Sequence, residues 1–261
     1  MNFSIPSKVF YILFLSIAFN AISYAKTYSV IVGINEYSDN QNLNYAVRDA
    51  ILFHQTIKKQ FDEEAINYLL LNENATAINV MSLIYTLALE MTVQDQFILY
   101  FSGHGNSLGL LFYNMTEDLY FVSYNDLKFF INLIESENKI IILDNCNSGG
   151  IVSEQYHYPN LYKSTHRSSS SKSIMMFLSA RPYETSIESG KIGHGLFTFY
   201  LCKGMFGYAD KNKDGKVTIE ELYYYTRNHT YAASKLFNER GQCPILLGNF
   251  NRHLIVVDKT W

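Results

Sequence analysis

Two residues in this chain have, between them, the chemistry to break an amide bond. Cys146 stands in Leu143-Asp-Asn-Cys-Asn-Ser-Gly-Gly150 and His104 in Tyr100-Phe-Ser-Gly-His-Gly105. A thiol nucleophile must lose a proton and a departing amine must gain one, so a cysteine and a histidine on adjacent loops make a minimal acyl-transfer site. Glycines flank both: Gly103 and Gly105 around the histidine, Gly149 and Gly150 after the cysteine. They permit tight turns and close approach of a peptide backbone, and N–H groups there can form an oxyanion hole. Taken alone the pair settles little, because cysteines usually pack and histidines are usually structural.

The elements that must position the pair follow from hydrophobic periodicity. Tyr28–Ile34 reads as a buried strand, followed by a helical pattern at Ala46, Ala50, Phe53, Ile57 and Phe61. Asn67–Leu71 reads as a second strand, Ala77–Met91 as a helix, and Gln96–Phe101 as a strand running into Ser-Gly-His-Gly. A hairpin is expected near 109–122 and a helix at about 125–135, ahead of the strongly apolar strand Lys139–Leu143. Strands alternating with helices predict a mostly parallel sheet covered on both faces. Functional groups in such sheets collect beyond the carboxyl ends of the strands. His104 and Cys146 both follow strand ends, so they are expected at one edge of the sheet. Further on, a strand at 174–179, helices near 195–205 and 219–237 and a last strand near 253–257 complete the pattern, with no internal repeat.

The two local sequences resemble the catalytic signatures of the metacaspase branch of the caspase superfamily. The cysteine follows the histidine by 42 residues, against about 50 in caspases. Gly33-Ile-Asn-Glu-Tyr37 with Leu43-Asn-Tyr-Ala-Val-Arg-Asp-Ala50 looks like the family's first strand and helix, and Gly193-His-Gly-Leu-Phe-Thr-Phe-Tyr200 like its small-subunit helix. The resemblance covers residues 27–258 and implies a caspase-like three-layer α/β/α sandwich. It also implies that Cys146 attacks the scissile carbonyl, that His104 protonates the leaving amine, and that the Gly105 and Cys146 amides bind the oxyanion. Asp144 matches an acidic residue that lines the family's primary specificity pocket and favours Arg or Lys, and Glu188 is a second pocket candidate. A carboxylate in a partly buried pocket pairing with a long cationic side chain agrees with simple electrostatics. One departure is Asn147, where many relatives carry His. The alternatives are a catalytically silent, calcium-responsive scaffold of the same fold, and a legumain-like or gingipain-like peptidase, for which a preference for Asn would speak against the role given to Asp144.

A second motif lies apart from the pair. Asp210-Lys-Asn-Lys-Asp-Gly-Lys-Val-Thr-Ile-Glu-Glu221 satisfies the EF-hand pattern, with Asp210, Asn212, Asp214, the Lys216 carbonyl, Thr218 and Glu221 as oxygen ligands. Lys211, Lys213 and Lys216 oppose cation binding, and a lone loop lacks the usual paired partner. The other reading is a turn between two helices. No cofactor is required for the thiol chemistry, and calcium is the one ion the sequence suggests.

The bulk properties bound the rest. With 261 residues, 48% of them hydrophobic, the chain suits one sizeable core, and a net charge of −3 without any dense basic run argues against nucleic acid as a partner. Protein or peptide substrates are expected, and oligomeric state is left open. Residues 1–25, with Lys8, the apolar run Val9–Ala21 and Ser23-Tyr24-Ala25, read as a signal peptide and imply export to a periplasm or the exterior. The run is short for a membrane anchor, so no stable span is expected after its removal. Residues 26–261 form the single catalytic domain. Cys202 and Cys243 suit either a disulfide or separate buried positions. The serine-rich stretch 156–173 reads as an exposed loop where caspases are split into two portions, with Lys163, Arg167 and Lys172 as self-cleavage sites. Asn74, Asn114 and Asn228 are glycosylation acceptors only in a eukaryotic secretory route.

Overall fold

A computed structural model describes residues 25–37, 41–60, 65–113, 121–152, 173–248, 251, 253 and 255–258. The signal-peptide segment through residue 24, Asn114 and the self-cleavage candidates Lys163, Arg167 and Lys172 lie outside these residues.

The chain begins as expected, with strand β1 (Thr27–Gly33), helix α1 (Ala46–Gln60), strand β2 (Ile66–Leu71), helix α2 (Ala77–Glu90) and strand β3 (Gln96–Ser102). A hairpin of β4 (Gly109–Leu111) and β5 (Phe121–Ser123) leads into α3 (Tyr124–Leu133) and then β6 (Asn138–Asp144). Strand β7 (Ser173–Leu178), the short ladder of β8 (Glu188–Ser189) with β9 (His194–Gly195), helix α4 (Leu196–Lys203), β10 (Lys216–Thr218), α5 (Ile219–Ser234), β11 (Ile245–Gly248) and β12 (Ile255–Asp258) complete the described chain.

Six strands form the central sheet in the order β11-β7-β6-β3-β1-β2. All neighbours are parallel except β11, which runs antiparallel to β7 at the edge. Alternation along each strand feeds two cores. In β3, Phe97, Leu99 and Phe101 face the side covered by α2 and α3, while Ile98 and Tyr100 face α1, α4 and α5. In β1, Val30 and Val32 take the first side and Ile31 the second. This period-two division between two apolar layers is what a parallel sheet needs when helices cover both faces. The three-layer α/β/α architecture expected from the sequence is the one observed.

The strand order places the site. From β1 the chain moves outward to β2, then crosses back to lay β3 on the other side of β1. The carboxyl ends of β1 and β3 therefore flank a crevice at the point where the order reverses, where open α/β sheets hold their ligands. Three details differ from the sequence reading. The edge strand β11 has no counterpart in it; four residues ending at Gly248 are too short for periodicity to reveal. Helix α5 ends at Ser234, where a bend towards the buried Gln242 takes over, and the last strand is 255–258. Cys202 and Cys243 are both buried free thiols, so the disulfide alternative is not realised.

Candidate active site

His104 is carried two residues past the end of β3 and Cys146 two residues past the end of β6. Because β3 and β6 are neighbouring parallel strands with Ser102 paired to Asp144, both side chains leave the sheet at one level of one edge. They line the same cleft, together with Asp144, Glu188, Asp49 and Gly195. The pairing of sheet neighbours thus closes a separation of 42 residues along the chain.

Each member is held by specific partners. The His104 N–H donates to Tyr37 Oη at 2.7 Å, and the two rings lie 4.6 Å apart. The His104 Nε2 meets the Gln41 carbonyl at 2.5 Å. No hydrogen bond joins the His104 and Cys146 side chains among the described residues. Asn147, next to the nucleophile, has φ of 57°, a left-handed conformation that asparagine tolerates better than most residues. Its N–H donates to the Glu184 carbonyl at 2.8 Å, tying the nucleophile loop to the segment that follows β7. The thiol of Cys146 is half-buried. Burial pushes its pKa up, the Ser186 N–H pulls it back, and the negative charges of Asp144 and Glu188 push it up again. The Cys146 thiol is therefore protonated at rest, with the His104 imidazole on a backbone carbonyl nearby.

Gly105 is required by its neighbour. A Cβ at this position would collide with Nδ2 of Asn145, whose carboxamide also donates to the Cys146 carbonyl at 2.8 Å and to Tyr124 Oη at 3.3 Å. Asn145 is thus a spacer between the histidine loop and the nucleophile loop. Gly105 forms an isolated bridge to Leu110, with the ladder bonds made by its two neighbours: the Leu111 N–H donates to the His104 carbonyl and the Asn106 N–H to the Gly109 carbonyl. That pattern turns the Gly105 N–H away from the ladder.

The floor of the cleft is acidic. Asp144 is 5% exposed, and its carboxylate accepts from Ser186 Oγ at 2.5 Å and from Thr198 Oγ1 at 2.7 Å. Burial pushes its pKa up, and the hydroxyl donors only partly oppose that. Asp49, on α1, lies beside it and accepts from His194 Nδ1 and from the Gly195 N–H. Glu188 lines the cleft too, but both of its oxygens are held by the amides of Asn44 and Tyr45, just ahead of α1. It closes the end of that helix as much as it adds charge to the pocket.

Sequence reasoning missed several of these groups. Asp49 and Tyr37 sit inside recognisable motifs, yet nothing in their spacing assigns them a role. Ser186, Thr198 and Gln242 leave no local signal. Gln242 is fully buried and pins the pocket wall: its Nε2 donates to the Ser179 carbonyl and to Ser186 Oγ, and its Oε1 accepts the Ile187 N–H. Only the fold brings it there.

The residues of the second motif are not drawn into the cleft. Asp210 accepts from the amides of Lys213 at 2.7 Å and Gly215 at 3.0 Å, and Asp214 accepts from the Lys216 amide at 2.8 Å. The Asn212 carboxamide donates to Asp214 at 2.9 Å. Glu221 and Thr218 close a reciprocal capping box at the start of α5. Among the described residues no group of three or more His, Cys, Asp or Glu is arranged to hold a metal ion. The carboxylate oxygens accept from the loop's own amides, as in a turn between helices. The loop's short strand β10 does have a partner, in β12, with Lys216 and Asp258 paired at 3.4 Å.

Comparison with known proteins agrees with this geometry. A family model described as the caspase domain matches residues 26–254. No curated protein matches the chain. The crystal structure of protein GSU0716 from Geobacter sulfurreducens is similar, with a TM-score of 0.59 and 16% identity over 85% of this chain and 93% of that one. At that identity the likeness speaks for the fold.

Proposed function

The chain belongs to the caspase domain family, a family of cysteine peptidases, and from that premise we propose that it is an endopeptidase cleaving peptide bonds after Arg or Lys. Cys146 is the nucleophile, and His104 carries the proton to the leaving amine. The Gly105 and Cys146 amides receive the oxyanion.

One observation carries the reading: the thiol and the imidazole leave adjacent strands into a cleft whose floor holds the buried carboxylates of Asp49 and Asp144. A buried carboxylate met by hydroxyls and no cation favours a substrate that brings the cation with it. An acidic residue in the same place would add a like charge to two others. The resting arrangement also gives a sequence of events. A bound Arg or Lys offsets the negative charges that hold the thiol protonated. The Cys146 proton passes to His104 once its ring turns from the Gln41 carbonyl, Sγ bonds to the scissile carbonyl carbon, and the imidazolium protonates the amine as the C–N bond breaks. Water, deprotonated by the same imidazole, then releases the acyl group and restores the thiol.

The test is hydrolysis of matched peptides ending in Arg, Lys, Asp or Asn by the protein and its Cys146→Ala variant. Cleavage after Arg or Lys that needs Cys146 supports the reading; cleavage after Asn alone replaces it with a legumain-like one. The protonated thiol and the absent His104–Cys146 hydrogen bond favour the second reading, a catalytically silent binding module. In that case thiol-directed probes with an Arg side chain leave Cys146 unlabelled. Export through residues 1–25 and self-cleavage at Lys163, Arg167 or Lys172 belong to the same proposal. Mass spectrometry of the exported protein and its Cys146→Ala variant, both intact at residues 156–173, removes the self-cleavage part.

A further inference from the structure

The two carboxylates on the floor of the cleft are satisfied in different ways. Asp144 meets neutral hydroxyls, those of Ser186 and Thr198. Asp49 meets a titratable side chain, with His194 Nδ1 at 2.7 Å from its Oδ1 and the Gly195 N–H at 2.9 Å from its Oδ2. Gly195 lies between the two acids: a Cβ there would come within 2.7 Å of Asp49 Oδ2 and 3.1 Å of Asp144 Oδ2. Two anions so close inside a buried wall do not both ionise unless a proton or a cation accompanies them. The His194 side chain keeps 17% of its surface exposed, enough to exchange that proton with solvent.

Building on the cleft as the seat of an Arg or Lys side chain, we infer that the hydrogen-bonded pair of Asp49 and His194 tunes how tightly this pocket holds that cation. The proton that balances Asp49 lies within the pair, and the substrate's cation displaces it.

Other charged and titratable groups face the pair from each packed element. On α1, the Arg48 guanidinium lies against Gly193 and 5.7 Å from the Tyr45 ring centre. Tyr100 reaches Thr198 from β3, and Asp144 stands at the end of β6, with Cys146 and Glu188 lining the cleft beside it. On α4 are Cys202, which is buried, and Lys203, 5.8 Å from the centre of the Phe199 ring that stacks on His194. Arg48 and Lys203 favour loss of the shared proton, whereas Asp144 and Glu188 resist it. Burial pushes the Asp49 carboxyl up to about 7, and the hydrogen bond from His194 opposes that rise. The exchange therefore falls in the neutral range.

At lower pH the pair holds its proton and is neutral, and Asp144 alone faces the ligand. At higher pH the proton is gone, a second negative charge appears, and a cation binds more tightly. By reciprocity, a bound cation expels the proton.

The experiment is titration calorimetry of the Cys146→Ala protein with N-acetylarginine amide. Between about pH 6 and pH 8 the affinity is expected to rise about tenfold, the effect of a neighbouring charge worth about one pKa unit. The heats are also expected to differ between buffers of unlike ionisation enthalpy, because binding releases a proton. His194→Gln keeps a hydrogen bond to Asp49 but removes the lowering influence of the imidazole on that carboxyl, so the rise in affinity is expected to move to higher pH and the slope between about pH 6 and pH 8 to flatten; Asp49→Asn, with no carboxyl to ionise, is expected to be weak and flat. A wild-type affinity that ignores pH, or a His194→Gln variant that keeps the wild-type slope, overturns the inference. Binding with the expected slope, but no peptide cleavage by the unmodified protein, supports the inference and overturns the peptidase reading. Failure to bind the arginine amide overturns both. Should His194→Gln not fold, imidazole NMR of the Cys146→Ala protein decides, since the His194 ring signals must move as the ligand saturates; unmoved signals overturn the inference.

Discussion

The cleft beyond β3 and β6 and the loop 210–221 are both acidic, and both look like functional sites in the sequence, yet the fold treats their carboxylates in opposite ways. In the loop, Asp210, Asp214 and Glu221 find backbone amides within a few residues, so the charges are stabilised where they stand. In the cleft, Asp49 and Asp144 are buried, neighbours of each other, and pushed up in pKa by that burial. The first arrangement stabilises the fold. The second holds a charge imbalance that a ligand can relieve, which is how an active site differs from a turn of similar composition.

Substitutions test that contrast, beginning with the nucleophile. Cys146→Ala should lower kcat/KM on an Arg peptide by at least about 10⁴-fold, to background, while leaving the melting temperature close to that of the parent. Gly105→Ala comes next: forcing Asn145 aside displaces the proposed oxyanion donor, and a shift on the order of 1 Å costs about a hundredfold in kcat. A loss confined to KM would show that Gly105 shapes binding instead.

Asp144→Asn should separate activity from stability. Removing one partner of a desolvated charge pair costs roughly 2–5 kcal/mol in transition-state binding, so kcat/KM for Arg peptides should fall at least about thirtyfold. The same change should raise stability at neutral pH. Asp144 has its folded pKa raised, so its contribution favours folding most below the ordinary carboxylate range and declines as pH rises through the folded pKa. Asparagine keeps the hydrogen-bonding shape and removes that decline, a gain of about 1 kcal/mol by thermal melting. Because the Asp144 charge also holds the Cys146 thiol up, alkylation by iodoacetamide at neutral pH should become faster while peptide cleavage becomes slower. Both falling together would mean that the substitution had simply damaged the site.

Much of the fold is legible in the sequence from its apolar runs and helical periodicity. The strands Gln96–Ser102 and Asn138–Asp144 are near-continuous apolar runs, as strands buried on both faces are, and the glycine-flanked His104 and Cys146 mark where those strands stop. Asp144 is legible through its distance from the nucleophile. Asp49, His194, Ser186, Thr198 and Gln242 are not legible as partners, because they are brought together from segments up to 193 residues apart in number, and no local pattern records a contact between Asp49 and His194. The acidic loop is legible only as a spacing. That spacing fits an ion-binding pattern, but spacing does not say whether an oxygen faces an ion or the nearest amide.

The smallest expected effect belongs to that loop. In the capping box, Glu221 Oε2 accepts the Thr218 N–H at 3.0 Å while Thr218 Oγ1 accepts the Glu221 N–H at 3.2 Å. Glu221→Ala removes half of that box, for a cost of about 1 kcal/mol, or roughly 2–4 °C in melting temperature for a domain of this size. Cleavage of an Arg peptide should change by less than about twofold, since surface caps far from the chemistry act on stability alone. The contrast between cleft and loop breaks if calcium raises the melting temperature of the parent and the rise is lost in Glu221→Ala. The loop's oxygens would then have to turn from their amides to an ion, and the capping box would be the resting form of a switch. Equal melting temperatures with calcium and with a chelator leave Glu221 as what its hydrogen bonds make it, the start of a helix.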